Sequence, residues 1–158
     1  MEIVIGSDHF GYTLKEQLIS ELVTLGHQPV DLGCEGVTDE VDYPDVAAEL
    51  AQKIAAGEFQ RGILVCGTGI GMAMAANKVP GVRAACCHDT YSAERARKSN
   101  DAQVLCLGEQ VIGPALARDV LVRWLESEFG GGRSTRKVEK INRLDASRPA
   151  AELPQASP

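Results

Sequence analysis

The clearest signal of the fold is the segment Gly62-Ile63-Leu64-Val65-Cys66-Gly67-Thr68-Gly69-Ile70-Gly71. Its first residues form a short apolar run, as in a strand buried on both faces, and the glycines that follow open a helical segment. We predict strands near residues 2–6, 28–32, 62–66, 82–87 and 103–107, with helices near 11–25, 44–57, 70–78, 90–99 and 112–127. This alternation predicts an α/β fold with a doubly wound, five-stranded parallel sheet, which binds ligands at the carboxyl ends of its strands.

Composition places the chain among ordinary soluble proteins. Its 158 residues are 44% hydrophobic and 24% charged, and no apolar run reaches the ~20 residues that span a bilayer. The net charge of −6 argues against general nucleic-acid binding, which needs a basic surface. The N-terminal residues show no secretory signal, so we expect a cytoplasmic protein.

The five cysteines form an odd number, so we expect free thiols rather than a disulfide framework. Cys86 and Cys106 lie on predicted strands and are expected to be core residues. Cys86 and Cys87 are adjacent on a strand and point to opposite faces, so they cannot easily share one metal ion.

We expect one domain over residues 1–145, followed by a disordered, Pro-, Ala- and Ser-rich tail over 146–158. Arg133, Arg136 and Lys137 lie in a basic segment that is predicted to be a last helix reaching about residue 144. Such a cluster suits a phosphate monoester, because guanidinium groups bind phosphate in a bidentate manner. Taken alone, the segment fits a solvated, charged helix face better.

The glycine loop after the third strand carries the strongest chemical signal. Backbone N–H groups of Gly67, Gly69 and Gly71 at a helix start favour an anion or a developing oxyanion. The positive end of the helix favours the thiolate form of Cys66, which could act as nucleophile or base. A tight turn around a packed cysteine fits the spacing about equally well. A dinucleotide-binding loop fits poorly, because the third glycine position of G-x-G-x-x-G holds Met72.

Polar residues also follow other predicted elements. Asp8 and His9 come after the first strand and can hydrogen-bond sugar hydroxyls, although Asp8 could equally cap a helix. Asp42-Tyr43-Pro44 is a typical helix start, and Tyr43 could still line a pocket. Ser99-Asn100-Asp101, taken alone, is typical of a turn.

Together these stretches resemble the ribose-5-phosphate isomerase B / galactose-6-phosphate isomerase (RpiB/LacAB) family over residues 2 to about 144. The many short matches occur in order, which makes the resemblance specific. The matching stretches are Gly6-Ser7-Asp8-His9-Phe10-Gly11, Leu14-Lys15, Asp42-Tyr43-Pro44-Asp45, residues 62–78, Pro80-Gly81-Val82-Arg83-Ala84, Tyr91-Ser92-Ala93, Asn100-Asp101-Ala102 and Gly108-Glu109-Gln110-Val111-Ile112-Gly113.

The resemblance implies a Rossmann-like, three-layer αβα sandwich and an aldose–ketose isomerase of a small sugar phosphate, acting through a cis-enediolate without metal or cofactor. It also implies a homodimer or tetramer with active sites between subunits. In the family's pattern Cys66 is the base that moves a proton between C2 and C1, and Thr68 assists proton transfer between the two oxygens. The other roles carried over are enediolate binding by backbone N–H groups of Gly67, Gly69 and Gly71, hydroxyl binding by Asp8, His9, Tyr43 and the partner subunit's Asn100, and phosphate binding by Arg133, Arg136 and Lys137.

Two serines depart from the family pattern. Ser99 stands where ribose-5-phosphate isomerases of the family usually carry a ring-opening histidine, and Ser134 replaces a histidine of the phosphate segment, where Lys137 takes the place of the second arginine. Both changes suggest a sugar that needs no ring opening, such as erythrulose 4-phosphate, beside the family's ribose 5-phosphate. The segment 88–96 resembles members associated with erythritol breakdown, whereas Asp8-His9 resembles the ribose enzymes. A galactose-6-phosphate isomerase subunit and a non-catalytic sugar-phosphate-binding homologue are the alternatives.

Overall fold

The computed structural model describes residues 1–146. Within this range one parallel sheet has the order β2-β1-β3-β5-β4 and contains β1 (Glu2–Ser7), β2 (Gln28–Asp31), β3 (Gly62–Cys66), β4 (Ala84–Cys86) and β5 (Val104–Gly108). The helices are α1 (Tyr12–Thr24), α2 (Tyr43–Ala55), α3 (Ile70–Ala76), α4 (Thr90–Asn100), α5 (Pro114–Leu125) and α6 (Thr135–Ala146). None of these helices is both long and apolar enough to cross a bilayer. The predicted tail lies outside the described residues, except for Ala146, the last residue of α6.

The sheet separates two hydrophobic clusters. Ile63 and Val65 of β3 belong to the cluster with α1, α4 and α5, whereas Leu64 and Cys66 belong to the cluster with α2 and α3. Successive strand residues point to opposite faces, so a strand covered by helices on both sides must be apolar throughout. The predicted three-layer, Rossmann-like α/β sandwich is confirmed.

The predicted starts of β4 and α5 differ from the structure for local reasons. β4 begins at Ala84 rather than near residue 82, because the N–H of Arg83 donates to Oε1 of Gln103 (2.9 Å) instead of to a neighbouring strand. α5 begins at Pro114, whose fixed φ suits the first helical position. A 3-10 turn at His9–Gly11, which was not predicted, precedes α1.

The order of the strands determines where a ligand can bind. The chain passes from β1 to β2 at one edge and then crosses to β3 on the other side of β1, so its winding direction reverses between β1 and β3. The N–H of Asp8 donates to the carbonyl of Val65 (3.3 Å) and holds the carboxyl ends of these two strands together. In open parallel sheets, the crevice at such a reversal binds ligands.

Candidate active site

Cys66 ends β3, and its side chain is held by the loop that follows. The N–H of Gly69 points at Cys66 Sγ at 3.1 Å, and the residue is 5% exposed. The loop is also held from the end of β5, where Glu109 N–H donates to Cys66 O (2.9 Å) and Gln110 N–H donates to Gly67 O (3.0 Å). The sulfur is thus a hydrogen-bond acceptor in a fixed loop, as a base must be when it takes up a proton.

Two glycines of this loop are required by its geometry. Gly69 has φ +75°, and a Cβ on it would lie 2.9 Å from the carbonyl carbon of Leu107. A Cβ on Gly71 would lie 2.6 Å from the ring of Tyr43. Glycine therefore lets the loop approach β5 closely and lets the ring of Tyr43, at the start of α2, lie directly against it.

Asp8 and His9 lie beside the loop, at the end of β1. Asp8 Oδ1 accepts from Gly11 N–H (3.1 Å), so Asp8 does cap the short turn before α1. Burial raises the pKa of the Asp8 carboxyl, although the Gly11 N–H and His9 oppose this. The buried Nδ1 of His9 has no hydrogen-bond partner within residues 1–146.

One cavity of about 700 Å³ collects these residues, a size that suits a small molecule. We call it the cysteine cavity; its lining includes Asp8, His9, Tyr43, Cys66, Gly67, Thr68 and Gly71. Thr68 is exposed, and its Oγ1 accepts from Ile70 N–H (3.3 Å). Among the described residues, no lysine or arginine lines this cavity. The cysteine cavity therefore offers acid–base groups but no cation for a phosphate.

Gly69, also a predicted site residue, lines neither the cysteine cavity nor the next one. The other predicted site residues line a second cavity of about 790 Å³, which we call the basic cavity. Its lining is Arg95, Ser99, Asn100, Gly132, Arg133, Ser134, Arg136 and Lys137. Of the residues that the structure describes, none lines both cavities. Within one chain, the structure therefore brings the predicted phosphate residues together with Ser99 and Asn100 and separates all of them from Cys66.

Sequence reasoning missed several lining residues. Arg95 lines the basic cavity and donates a hydrogen bond to Ser99 Oγ; their i,i+4 spacing on one helix is the signal that could have shown it. Gln110 lines the cysteine cavity just after β5 and would have followed from the rule that ligands bind at strand ends. Met74, on α3, carries no comparable signal.

The other cysteines near the loop differ from Cys66. Cys106 is fully buried, as predicted, but Cys86 is only partly buried and its Sγ lies 3.5 Å from Thr68 O, so its assignment to the core is half right. Cys87 belongs to the opposite cluster, as the alternation of strand residues requires. Burial raises the pKa of the Cys87 thiol to about 12 and also raises that of Cys86. Neither thiol is suited to supply a thiolate at neutral pH.

Comparison with known proteins identifies the family. The model of the Ribose/Galactose Isomerase family matches residues 3–141. The chain belongs to this family. The D-erythrulose-4-phosphate isomerase of Pectobacterium atrosepticum is 52% identical over 141 residues, which cover 89% of this chain and 93% of that protein. The ribose-5-P isomerase B of Listeria innocua is 49% identical over 92% of this chain and 97% of its own.

A solved structure agrees with the sequence comparison. Ribose-5-phosphate isomerase B of Clostridium thermocellum superimposes with a TM-score of 0.91 at 46% identity, over 93% of this chain and 99% of that one. The resemblance found in the sequence motifs is therefore confirmed, and the chain is an aldose–ketose isomerase. Erythrulose 4-phosphate and ribose 5-phosphate are the substrates in the names of these relatives. The two substrates differ in whether the sugar can form a ring.

Proposed function

We propose that the isomerase interconverts D-erythrulose 4-phosphate and D-erythrose 4-phosphate, with Cys66 as the base. The observation that supports this choice of substrate is Ser99, which stands beside Asn100 and accepts a hydrogen bond from Arg95. Among the described residues, no histidine lines the basic cavity. Ring opening needs a group that exchanges protons near neutral pH, as imidazole does. A tetrose 4-phosphate has its O4 esterified and has no O5, so it is always open. The 52% identity to a D-erythrulose-4-phosphate isomerase supports this choice.

The proposed chemistry moves one proton between two carbons. Starting from the aldose, the thiolate of Cys66 removes the proton on C2, the C–H electrons form a C1=C2 double bond, and O1 takes up the negative charge. Backbone N–H groups of the loop 67–71 stabilise this cis-enediolate. Thr68 Oγ1, exposed in the cysteine cavity, carries the proton from O2 to O1, and the Cys66 thiol returns its proton to C1. The product is the ketose, and no oxidant or reductant is consumed.

The proposed site forms between two copies, because its two halves lie at opposite ends of the strands of one sheet. We call the side where the strands end the carboxyl edge and the side where they begin the amino edge. Cys66 lies at the carboxyl edge, at the end of a five-residue strand of about 16 Å. Helix α4 starts from that edge and runs back over its 11 residues, also about 16 Å, so Asn100 lies near the amino edge. The chain of a tetrose phosphate is less than half as long. One copy therefore supplies the base, and its partner supplies the phosphate site.

The rim of the cysteine cavity carries side chains suited to such an association. Phe10, Ile70 and Met74 line it and are 54%, 52% and 65% exposed. Large apolar side chains clustered at a cavity rim favour contact with another protein surface. We propose a homodimer, or a tetramer built from it, in which this rim meets the basic cavity of the partner.

Ribose 5-phosphate is the second candidate substrate. His9 places an imidazole in the cysteine cavity, where it could act on a ring oxygen, and the Listeria innocua relative is named a ribose-5-P isomerase B. This reading requires ring opening from the Cys66 side rather than from the position of Ser99.

Steady-state turnover of the purified protein on erythrulose 4-phosphate, ribose 5-phosphate, allose 6-phosphate and galactose 6-phosphate separates the candidates. We expect kcat/KM to be highest for the tetrose. Equal or higher efficiency on ribose 5-phosphate would refute the tetrose assignment. Ser99→His should raise turnover of the cyclic sugars, and Ser134→His, which adds an imidazole to the same cavity away from Asn100, is the matched control.

The role of Cys66 is tested by Cys66→Ala, with Cys34→Ala as control, because Cys34 is a buried thiol outside both cavities. We expect Cys66→Ala to abolish turnover while the substrate still protects the protein against thermal unfolding. Retained turnover would exclude the base role. An unsubstituted protein that binds sugar phosphates but isomerises none of them would instead support a non-catalytic homologue.

Mixing two inactive variants tests the shared site. In a heterodimer of Cys66→Ala and Arg133→Ala chains, one site combines Cys66 of one chain with Arg133 of the other, and the second site lacks both. After subunit exchange at equal amounts, activity should recover to about a quarter of the unsubstituted level, since half of the dimers are mixed and each holds one intact site. No recovery, with exchange verified by mass, would place the site within one chain.

A further inference from the structure

The residue after Asn100 is held by two arginines. Asp101 ends α4 in the left-handed conformation, with φ 49°. Its Oδ1 accepts from Arg97 Nη1 at 3.0 Å, and its Oδ2 accepts from Arg83 Nη2 at 2.9 Å. We call these three residues the Asp101 clamp. It fixes the backbone that presents Asn100.

Arg83 reaches beyond the clamp to helix α6. Its Nε donates to the carbonyl of Asn100 at 3.1 Å, and its Nη1 donates to Asn142 Oδ1 at 2.9 Å. Asn142 lies on the helix that begins within the basic cluster Arg133–Lys137. One planar guanidinium therefore joins the end of α4 to α6, with directions that an ammonium group could not reproduce.

Arg97 reaches from the clamp to the segment that leads into the basic cavity. Its Nη1 also donates to Ala102 O at 2.9 Å, and its Nη2 lies 3.5 Å from Glu128 Oε2. The side chains of Arg97 and Arg83 are only 8% and 13% exposed. Water is therefore a poor substitute for either contact, and loss of the carboxylate leaves buried donors unpaired.

We propose that Asp101 is a positioning residue, which through the clamp fixes Asn100 and the basic cluster at the spacing that a sugar phosphate needs. No clamp residue lines the cysteine cavity or the basic cavity, so the clamp acts through the residues that do. Asn100, Arg95 and Arg133 lie on two different segments, and their joint affinity for one ligand depends on that spacing. This inference rests on the proposed function of the basic cavity.

The test compares Asp101→Asn and Asp101→Gly with the unsubstituted protein. Both residues adopt the left-handed conformation readily, so the backbone is preserved and only the carboxylate is lost. We expect KM for the sugar phosphate to rise about five- to ten-fold with kcat within about two-fold, because binding that is equal in ground and transition states is removed. Glu21→Gln, which removes an ion pair with Arg118 outside both cavities, is the control and should leave KM unchanged.

A clamp that only stabilises the fold predicts a different result: a lower unfolding temperature with unchanged KM in both Asp101 variants. That result would overturn the proposal. If backbone strain were the cause, Asp101→Gly would restore KM while Asp101→Asn would not, which would also overturn it. Should an Asp101 variant fail to fold, Arg83→Lys replaces it as the test. This variant keeps the positive charge but loses the planar guanidinium donors, and the same rise in KM is expected.

Binding of inorganic phosphate by calorimetry separates this proposal from the proposed substrate. If the protein turns over none of the sugars, the substrate assignment fails, but the clamp is still tested, because Asp101→Asn should weaken phosphate binding about five-fold. Equal phosphate binding by Asp101→Asn and the unsubstituted protein, or no phosphate binding by either, would refute the positioning role.

Discussion

Two glycines with the same backbone conformation allow the packing of the glycine loop after β3 to be measured. Gly26 and Gly69 have φ of +79° and +75°. A Cβ on Gly26 would meet no atom of residues 1–146 within 4 Å, whereas a Cβ on Gly69 would lie 2.9 Å from Leu107 C and 3.0 Å from Cys86 Sγ. An alanine in the left-handed region costs about 1–2 kcal/mol at either position. Overpacking against β5 adds about 1–3 kcal/mol at Gly69 alone.

Urea unfolding of Gly26→Ala and Gly69→Ala should therefore give losses of about 1–2 and about 2–5 kcal/mol, the difference being the steric contribution. Turnover should also fall, because the N–H of Gly69 points at Cys66 Sγ and must move with the loop. We expect kcat/KM of Gly69→Ala to fall by at least about 100-fold, as when one preorganised donor is lost. Gly26→Ala should keep full activity. Equal destabilisation of the two variants would contradict the close packing of Gly69 on β5, and normal turnover by Gly69→Ala would contradict a role of its N–H in activity.

Three further perturbations probe the buried polar groups. Burial raises the pKa of Asp8 from 3.8. Asp8→Asn, which still accepts from Gly11 N–H, should therefore gain stability relative to the unsubstituted protein as pH rises from about 3 to 7, while losing activity. Urea unfolding midpoints measured across this pH range check the prediction. Burial lowers the pKa of His88 from 6.5, and its Nε2 accepts from Gly108 N–H (2.9 Å), so folding stability should decrease as pH falls through 6.5 and below, and His88→Asn should flatten this slope. Arg61, 3% exposed, donates to the last carbonyl groups of α5. Arg61→Met should therefore lower the free energy of unfolding by about 3 kcal/mol in thermal or urea unfolding. An unchanged free energy of unfolding would contradict the capping role.

The fold could be predicted because burial on both faces leaves a plain signal. All five residues of β3 are buried, so the strand appears in the sequence as an unbroken apolar run. The later start of β4 was missed because it depends on a side chain distant in sequence, Gln103, whose Oε1 accepts the N–H of Arg83. A contact of this kind has no local signature.

The candidate site was predictable to the extent that it follows strand ends. Asp8, Cys66 and Thr68 share one cavity because the winding reversal brings β1 and β3 side by side. The division into two cavities could not be predicted in this way. It depends on how the segment after α5 packs on α4, where Gly130 N–H donates to Lys98 O at 3.1 Å across 32 residues of sequence.

The positions of the two cavities also restrict how two copies can associate. If each cysteine cavity faces a partner's basic cavity, the carboxyl edge of each sheet must face the amino edge of the other. A two-fold axis roughly perpendicular to the strands satisfies this for both sites at once, whereas a parallel arrangement would place cysteine cavity beside cysteine cavity. The Asp101 clamp then has a second consequence in the proposed dimer. Because it fixes Asn100 and the basic cluster as one unit, a single docking geometry of the partner presents the hydroxyl-binding and phosphate-binding groups to Cys66 together.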